Sequence, residues 1–413
     1  MARKLAIDVS PLRESRDYRL LWTGELISEA GHQVSVVALF YQVTQLTHSP
    51  AAVGLIGLFQ LVPLLITSIA GGSITDALDR RKILLVTQFG YVVSSGILLA
   101  TALAHDPPLG VIYGAAALSA AFSGVDFPTR SAMTPRLVGK ERLPAALALN
   151  AALFNATLII GPAIGGIVIA RLGVAWAYGI DLVTYGATIG AALLMRPMPP
   201  MGGEGTGTSG LAAIREGLTY LKGRRVLQST FYIDLVAMVF GMPRALFAIL
   251  AMTQFHRGAE VVGLLFAAPG VGALIAALSA GWVGSVRHQG RAVILAVATW
   301  GAGIVAFGLV GGHLWIALFF LAVAGAADVV SAVFRSTILQ LSVPDELRGR
   351  LSGVHIGVVV GGPRLGDLEA GLVAQVFTPT ISVVSGGVLC LLGTGAIALL
   401  VPEFRRYHSG GQT

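Results

Sequence analysis

The sequence predicts an all-α membrane protein, with twelve transmembrane helices arranged as two pseudosymmetric six-helix halves. Three observations carry that prediction. First, the 413 residues are 55% hydrophobic and only 12% charged, with a mean hydropathy of +0.78. A soluble domain carries about 25% charged residues, and apolar surface on this scale needs lipid to cover it. Second, apolar runs long enough to cross a bilayer recur along the whole chain. Twelve spans of about 20 residues fit with short loops and leave no room for a sizeable soluble domain. Third, of the 28 Lys and Arg residues, that division puts 22 on one side. Only Arg171 and Arg257 fall on the other, and Arg130, Arg244, Arg335 and Arg364 lie within or near spans. A missed or invented span would scramble this bias, so it predicts an even span number with both termini cytoplasmic.

The spans are expected near 19–46, 51–77, 81–104, 109–135, 144–170, 175–196, 227–255, 259–286, 291–311, 314–342, 348–377 and 380–402. Turn residues punctuate most breaks: His48-Ser49-Pro50, Asp106-Pro107-Pro108, Gly311-Gly312 and Pro379. Residues 1–18 read as a cytoplasmic tail without the basic-then-apolar order of a signal peptide. Residues 19–197 form the N-terminal half. Residues 198–226 form a cytoplasmic linker containing an amphipathic helix that lies on the membrane. Residues 227–403 form the C-terminal half and 404–413 a second tail. The formal net charge of +7 follows from cytoplasmic loop charge rather than from nucleic-acid binding. Cys390 is the single cysteine, so the chain has no internal disulfide or thiolate metal site.

The halves repeat. Thr129-Arg130-Ser131 leads to Gly161-Pro162-Ala163-Ile164-Gly165-Gly166, and Phe334-Arg335-Ser336 leads to Gly366-Asp367-Leu368-Glu369-Ala370-Gly371 at the same offset. Gly72 through Lys82 matches Gly281 through Arg291 at a slightly longer one, with Ser285 in place of the acid. Internal repeats of this kind suit secondary transporters, whose site lies between repeats near the midplane. Glycines at four-residue spacing, Gly161/Gly165, Gly308/Gly312, Gly357/Gly361 and Gly362/Gly366, predict close helix packing.

The loop Gly71-Gly72-Ser73-Ile74-Thr75-Asp76-Ala77-Leu78-Asp79-Arg80-Arg81-Lys82 resembles the loop signature of the major facilitator superfamily, with Ala77 where the family commonly has a basic residue. The resemblance implies the major facilitator fold and a gating latch built from Gly72, Asp76, Arg80 and Arg81. In that latch Asp76 faces a helix N-terminus of the other half and Arg80 pairs with Asp126. Further segments are similar to the enterobactin-exporter branch: Arg19-Leu20-Leu21-Trp22, Thr47-His48-Ser49, Val53-Gly54-Leu55, Gly161 through Gly166, Gly173-Val174-Ala175-Trp176 and Glu403-Phe404-Arg405-Arg406. That branch implies efflux of a small amphiphilic molecule, a siderophore first. Macrolide or multidrug export, or lysophospholipid flipping, are the alternatives. Many members carry Gly-Asp where this chain has Gly31-His32.

Ionisable residues inside the hydrocarbon are costly and tend to line a pathway. Glu25, Glu29 and His32 share one face of the first span. Glu29 and His32 sit near the membrane middle and are the first candidates for proton coupling, with Glu25 as an entrance group and Asp126, Asp234 and Asp328 next in line. The competing reading is a plain Glu29–His32 pair. Arg244, Arg335 and Arg364 are candidate ligands for an anionic or catechol-like substrate. Structural pairs Asp328–Arg335 and Arg364–Asp367 compete with that role. Gly205 through Gly210 matches a dinucleotide fingerprint, but proline-rich chain precedes it where a strand is required. Asn155-Ala156-Thr157 matches a glycosylation sequon inside a span. No Walker-type loop, metal cluster or nucleophile–base pair is legible. The expected protein is therefore a transporter rather than an enzyme, a monomer with no cofactor, worked by an ion gradient, and its partners are a small molecule and the bilayer. A channel suits the two-half repeat less well than alternating access does.

Overall fold

The computed structural model describes residues 8–200 and 211–408, without the side chains of 73, 211–214, 284–285 and 345–357. The segment Gly205–Gly210, the Ser285 side chain and the ends of both tails thus fall outside the described structure. Fifteen α-helices follow one another among the described residues: α1 Ser10–Glu14, α2 Arg16–Thr47, α3 Pro50–Ala77, α4 Arg80–Leu103, α5 Leu109–Leu172, α6 Val174–Leu194, α7 Leu211–Leu221, α8 Arg225–Phe240, α9 Phe247–Thr253, α10 Ala259–Leu278, α11 Gln289–Leu309, α12 Leu314–Ser342, α13 Asp345–Val376, α14 Pro379–Leu400 and α15 Pro402–Arg406. Local chemistry sets their ends. The Ser15 hydroxyl accepts from the Tyr18 amide at the start of α2. Ser49 accepts from Ala52 at the start of α3, after His48 turns the chain at φ 51°. Asp79 caps α4 and Thr378 caps α14, with Pro379 in its first turn.

Three expected spans are built differently. The fourth and fifth form one α5, broken at Gly139, whose φ of +73° an L side chain rarely adopts. At 64 residues it has about three times the length one crossing needs, and the break lies where residues 136–143 were expected to form a loop. The seventh is interrupted. α8 stops at Phe240, Gly241-Met242-Pro243 leave the helix, and Arg244 opens a short 3-10 turn before α9. Proline 243 explains the break, because it removes a backbone donor and clashes with the preceding turn. Among the described residues nine helices are long and apolar enough to cross a membrane, α5 counting once and the broken stretch Arg225–Thr253 counting as one.

The chain divides into two compact units, Met1–Gln42 with Phe59–Gly210, and Val43–Leu58 with Leu211–Thr413. In unit one the core holds Leu21, Leu84, Met133, Ala192 and Met195, with a second cluster around Tyr18, Val138 and Ala146. In unit two a core cluster forms from Leu221, Leu227, Phe231 and Val343. Unit two also takes residues 43–58, which lie in the sequence of the first half. Ser49 Oγ donates to Gln375 Oε1 at 2.8 Å, and Gly54 packs against Gly371. The outward faces stay apolar, as at Val183 and Leu278, each 74% exposed. Surfaces of this kind belong in lipid.

Glycine does the packing. A Cβ on Gly161 or Gly165 of α5 would meet Gln33 or Val34 of α2 at 2.4 and 3.1 Å, and Gly362 and Gly366 of α13 rest on Met238 of α8. These are two of the four predicted glycine pairs. Gly308 packs on Val384, whereas Gly312 follows the left-handed Gly311 and meets only Gln254 O at 3.6 Å. That pair therefore does not act as one face. Gly357 lies outside the described side chains.

Candidate functional site

Polar groups inside unit one gather from α2, α4, α5 and α6. Arg130 is the one guanidinium of this group among the described residues. Its Nε donates to Asp126 Oδ2 at 2.6 Å, and its Nη1 lies 3.5 Å from Glu25 Oε2. The other oxygen of Asp126 accepts from Thr87 Oγ1 at 2.7 Å and Gln88 Nε2 at 3.2 Å. One turn along α2, Glu29 Oε1 accepts from Gln33 Nε2 at 2.8 Å. His32 Nδ1 lies 3.2 Å from the Tyr185 hydroxyl on α6. Gly31 lets α2 and α6 approach there, since a Cβ on it would sit 2.0 Å from Thr184 Oγ1. The expected Glu29–His32 pair is not made. Each finds a closer partner, Glu29 on its own helix and His32 on the neighbouring one.

Asp181 of α6 completes the cluster and was missed among the sequence candidates. It is 1% exposed. Its Oδ2 accepts from Ser95 Oγ at 2.5 Å, while Oδ1 has no hydrogen-bond partner. The rule that intramembrane acids mark function would have found it, because it lies inside the predicted span 175–196.

Unit two pairs its charges more completely. Arg335 of α12 contacts Asp234 of α8 directly and lies 4.0 Å from Asp328 of its own helix. Arg244 Nη2 donates to Asp367 Oδ2 at 2.7 Å. Asp328–Arg335 is thus present but secondary to Asp234. Asp367 takes its hydrogen bond from Arg244 instead of its helix neighbour Arg364, whose Nη1 donates to Val360 O at 2.7 Å. The cause is the break at Gly241-Met242-Pro243, which opens a fresh helical turn at Arg244, where the guanidinium reaches α13. The two units share one device: an acid on the first long helix meets an arginine on the fourth, Glu25 with Arg130 and Asp234 with Arg335. The offsets, 209 for the acids and 205 for the arginines, are those of the sequence repeat.

The loop motif anchors helix ends. Asp79 Oδ1 accepts from the amides of Arg81 and Met198 at 2.9 and 3.1 Å. Arg81 Nε and Nη2 donate to the Ala192 and Leu193 carbonyls at 2.6 and 2.7 Å, closing the C-terminal end of α6 with positive charge. Arg80 Nη1 donates to Ala132 O at 2.8 Å. The expected Arg80–Asp126 pair is absent, because Arg130, one turn along α5, takes that carboxylate. Asp76 is exposed at the end of α3 and faces Arg80. Gly72 stands in open space, and Gly71 makes the close approach, its Cβ position 2.6 Å from Gly124 O.

The family of transmembrane secretion effectors matches residues 6–409. The chain belongs to that family. The enterobactin exporter EntS of Salmonella typhi is 29% identical over 407 residues, covering 97% of this chain and 96% of that one, and that of Citrobacter koseri is 27% identical over 406. Among solved structures, a POT family transporter in complex with 5-aminolevulinic acid aligns at a TM-score of 0.76 over 94% of this chain and 97% of that one, at 12% identity. The nucleoside transporter NupG aligns at 0.71 over 94% and 98%, also at 12%. These likenesses show the major facilitator fold. The protein is a multi-pass membrane exporter, and the polar clusters described above lie inside its helix bundles.

Proposed function

We propose that this exporter carries a small amphiphilic siderophore outward, in exchange for protons entering through unit one. The observation that carries the proton reading is charge imbalance. Glu25, Glu29, Asp126 and Asp181 face one guanidinium, Arg130, and one imidazole, His32. If all four acids were ionised, three carboxylates would lack a permanent counter-charge. Each uncompensated ion in a low-dielectric interior costs several kcal/mol. Protons are the simplest remedy, and a group that holds one in only some states can couple transport to a gradient. Unit two sets Arg244, Arg335 and Arg364 against Asp234, Asp328 and Asp367, three charges of each sign. It suits the substrate better than the proton. Arginine presents planar donors that match carboxylate and catecholate oxygens. The siderophore reading leans on the relatives named enterobactin exporters. Both termini face the cytoplasm in this reading, the working form is a monomer, and the halves alternate access.

Glu29 with His32 is the coupling position, and Glu25 the entrance group. One charge entering down about 100 mV releases about 2.3 kcal/mol, enough for roughly fiftyfold accumulation per proton at about 1.4 kcal/mol per factor of ten. Glu29→Gln should bind and exchange enterobactin in proteoliposomes but lose that accumulation. Full gradient-driven export by Glu29→Gln with an unchanged pH profile would move coupling off this residue.

A further inference from the structure

Asp181 stands apart from the ion pair of unit one. Among the described residues no guanidinium or ammonium contacts it. The groups that face it are the Ser95 hydroxyl from α4, Ser35 and the His32 imidazole from α2, and the Tyr178 and Tyr185 hydroxyls from its own helix. Tyr178 is already engaged, donating to Gln42 Oε1 at 2.8 Å. Tyr185 lies 3.2 Å from His32 Nδ1, so its hydroxyl faces both the imidazole and the carboxyl. Its ring stacks on Tyr91 of α4 at 5.3 Å between centroids. Tyr91 in turn faces Asp126 and Arg130 of α5, and both tyrosines face Glu29.

We propose that Asp181 is a second proton-binding residue of unit one, served by His32 through the Tyr185 hydroxyl and separate from the Glu25–Arg130–Asp126 group. The proposal rests on the proton-coupled reading above and adds a residue and a route to it. Three features argue for it. The carboxyl is enclosed and lacks a fixed counter-charge, so a proton is the cheapest way to neutralise it. One oxygen is held by Ser95, which fixes the carboxyl, while the other makes no hydrogen bond of its own until the Tyr185 hydroxyl that faces the carboxyl turns to it. Behind the Tyr185 hydroxyl stands the His32 imidazole, whose ring nitrogens can both give and take a proton. The transfer balances. His32 as imidazolium gives its Nδ1 proton to the Tyr185 oxygen, and Tyr185 releases its own hydroxyl proton to Asp181 Oδ1. Histidine ends neutral, tyrosine is unchanged, and the carboxylate becomes a neutral acid.

Infrared titration of the purified full chain in liposomes tests this without a substrate. The C=O stretch of a protonated carboxyl is read as a function of pH, in water and in heavy water. Wild type should show a titrating band, and Asp181→Asn should delete a component that Glu29→Gln leaves in place. His32→Gln keeps the carboxyl, and should move the midpoint of that component by about one pH unit, a tenfold change in proton affinity. Tyr185→Phe should slow proton exchange at it at least tenfold. Retention of the whole band in Asp181→Asn, with loss in Glu29→Gln, would overturn the Asp181 assignment and leave Glu29 coupling standing. If Asp181→Asn does not fold, an unmoved midpoint in His32→Gln together with unchanged exchange in Tyr185→Phe overturns it instead. A wild type with no protonated carboxyl at any pH overturns both readings.

Discussion

Removing Arg335 should destabilise unit two by an amount that depends on pH. The Arg335 side chain is 3% exposed and that of Asp234 1%, and Asp328 stands 4.0 Å away as a second carboxylate. In Arg335→Gln, Asp234 is left as a buried ion without its cation, which costs about 3–5 kcal/mol. A second route sets a ceiling, because Asp234 can take a proton instead. Taking up one proton becomes cheaper by about 1.4 kcal/mol for each pH unit of acidification. The loss in Arg335→Gln should therefore shrink by about 2–3 kcal/mol between pH 7 and pH 5. The sign follows from the acid: lower pH supplies the proton that replaces the missing guanidinium. Asp234→Asn combined with Arg335→Gln removes both charges and should recover most of the loss at pH 7. Equilibrium unfolding of the purified protein in mixed micelles, at the two pH values, measures both effects. An equal loss at pH 7 and pH 5, with no recovery in the double variant, would show that Arg335 acts by filling space and would refute the charge argument.

Other substitutions separate packing from gating. Gly272→Ala puts a Cβ 1.7 Å from the Ala322 carbonyl oxygen of α12, so α10 must move off α12. About 1–3 kcal/mol of overpacking cost should appear as a lower unfolding midpoint for the purified protein. Asp76→Asn touches an exposed carboxylate and should leave that midpoint unchanged while slowing export several-fold, and normal turnover at normal abundance would remove the latch reading. Arg81→Ala loses two hydrogen bonds to the end of α6 and should lower stability by about 1–2 kcal/mol before it alters transport.

The residue sequence alone determined the class, the approximate spans and the repeat, because each rests on a one-dimensional property. Hydrocarbon demands long apolar runs, loop charge follows the membrane's two sides, and duplicated halves keep their spacing. The pairing of Glu25 with Arg130 echoes that spacing in Asp234 with Arg335, so part of the site was legible as well. Tertiary structure decided which charge meets which. The sequence places Arg364 one turn from Asp367, yet Arg244 reaches that carboxylate because a proline break redirects its backbone. Arg80 lies in the right loop for Asp126, but Arg130 is closer along α5. Glu29 and His32 share a helix face, but Gln33 and Tyr185 intercept them. In each case a buried charge takes the partner whose donor arrives in hydrogen-bond geometry, and that depends on how helices bend and how closely glycines let them approach. Asp181 shows the same limit from the other side. Its position inside a span was readable, but its isolation from any guanidinium, and the imidazole and hydroxyls around it, exist only once α2, α4 and α6 are packed together.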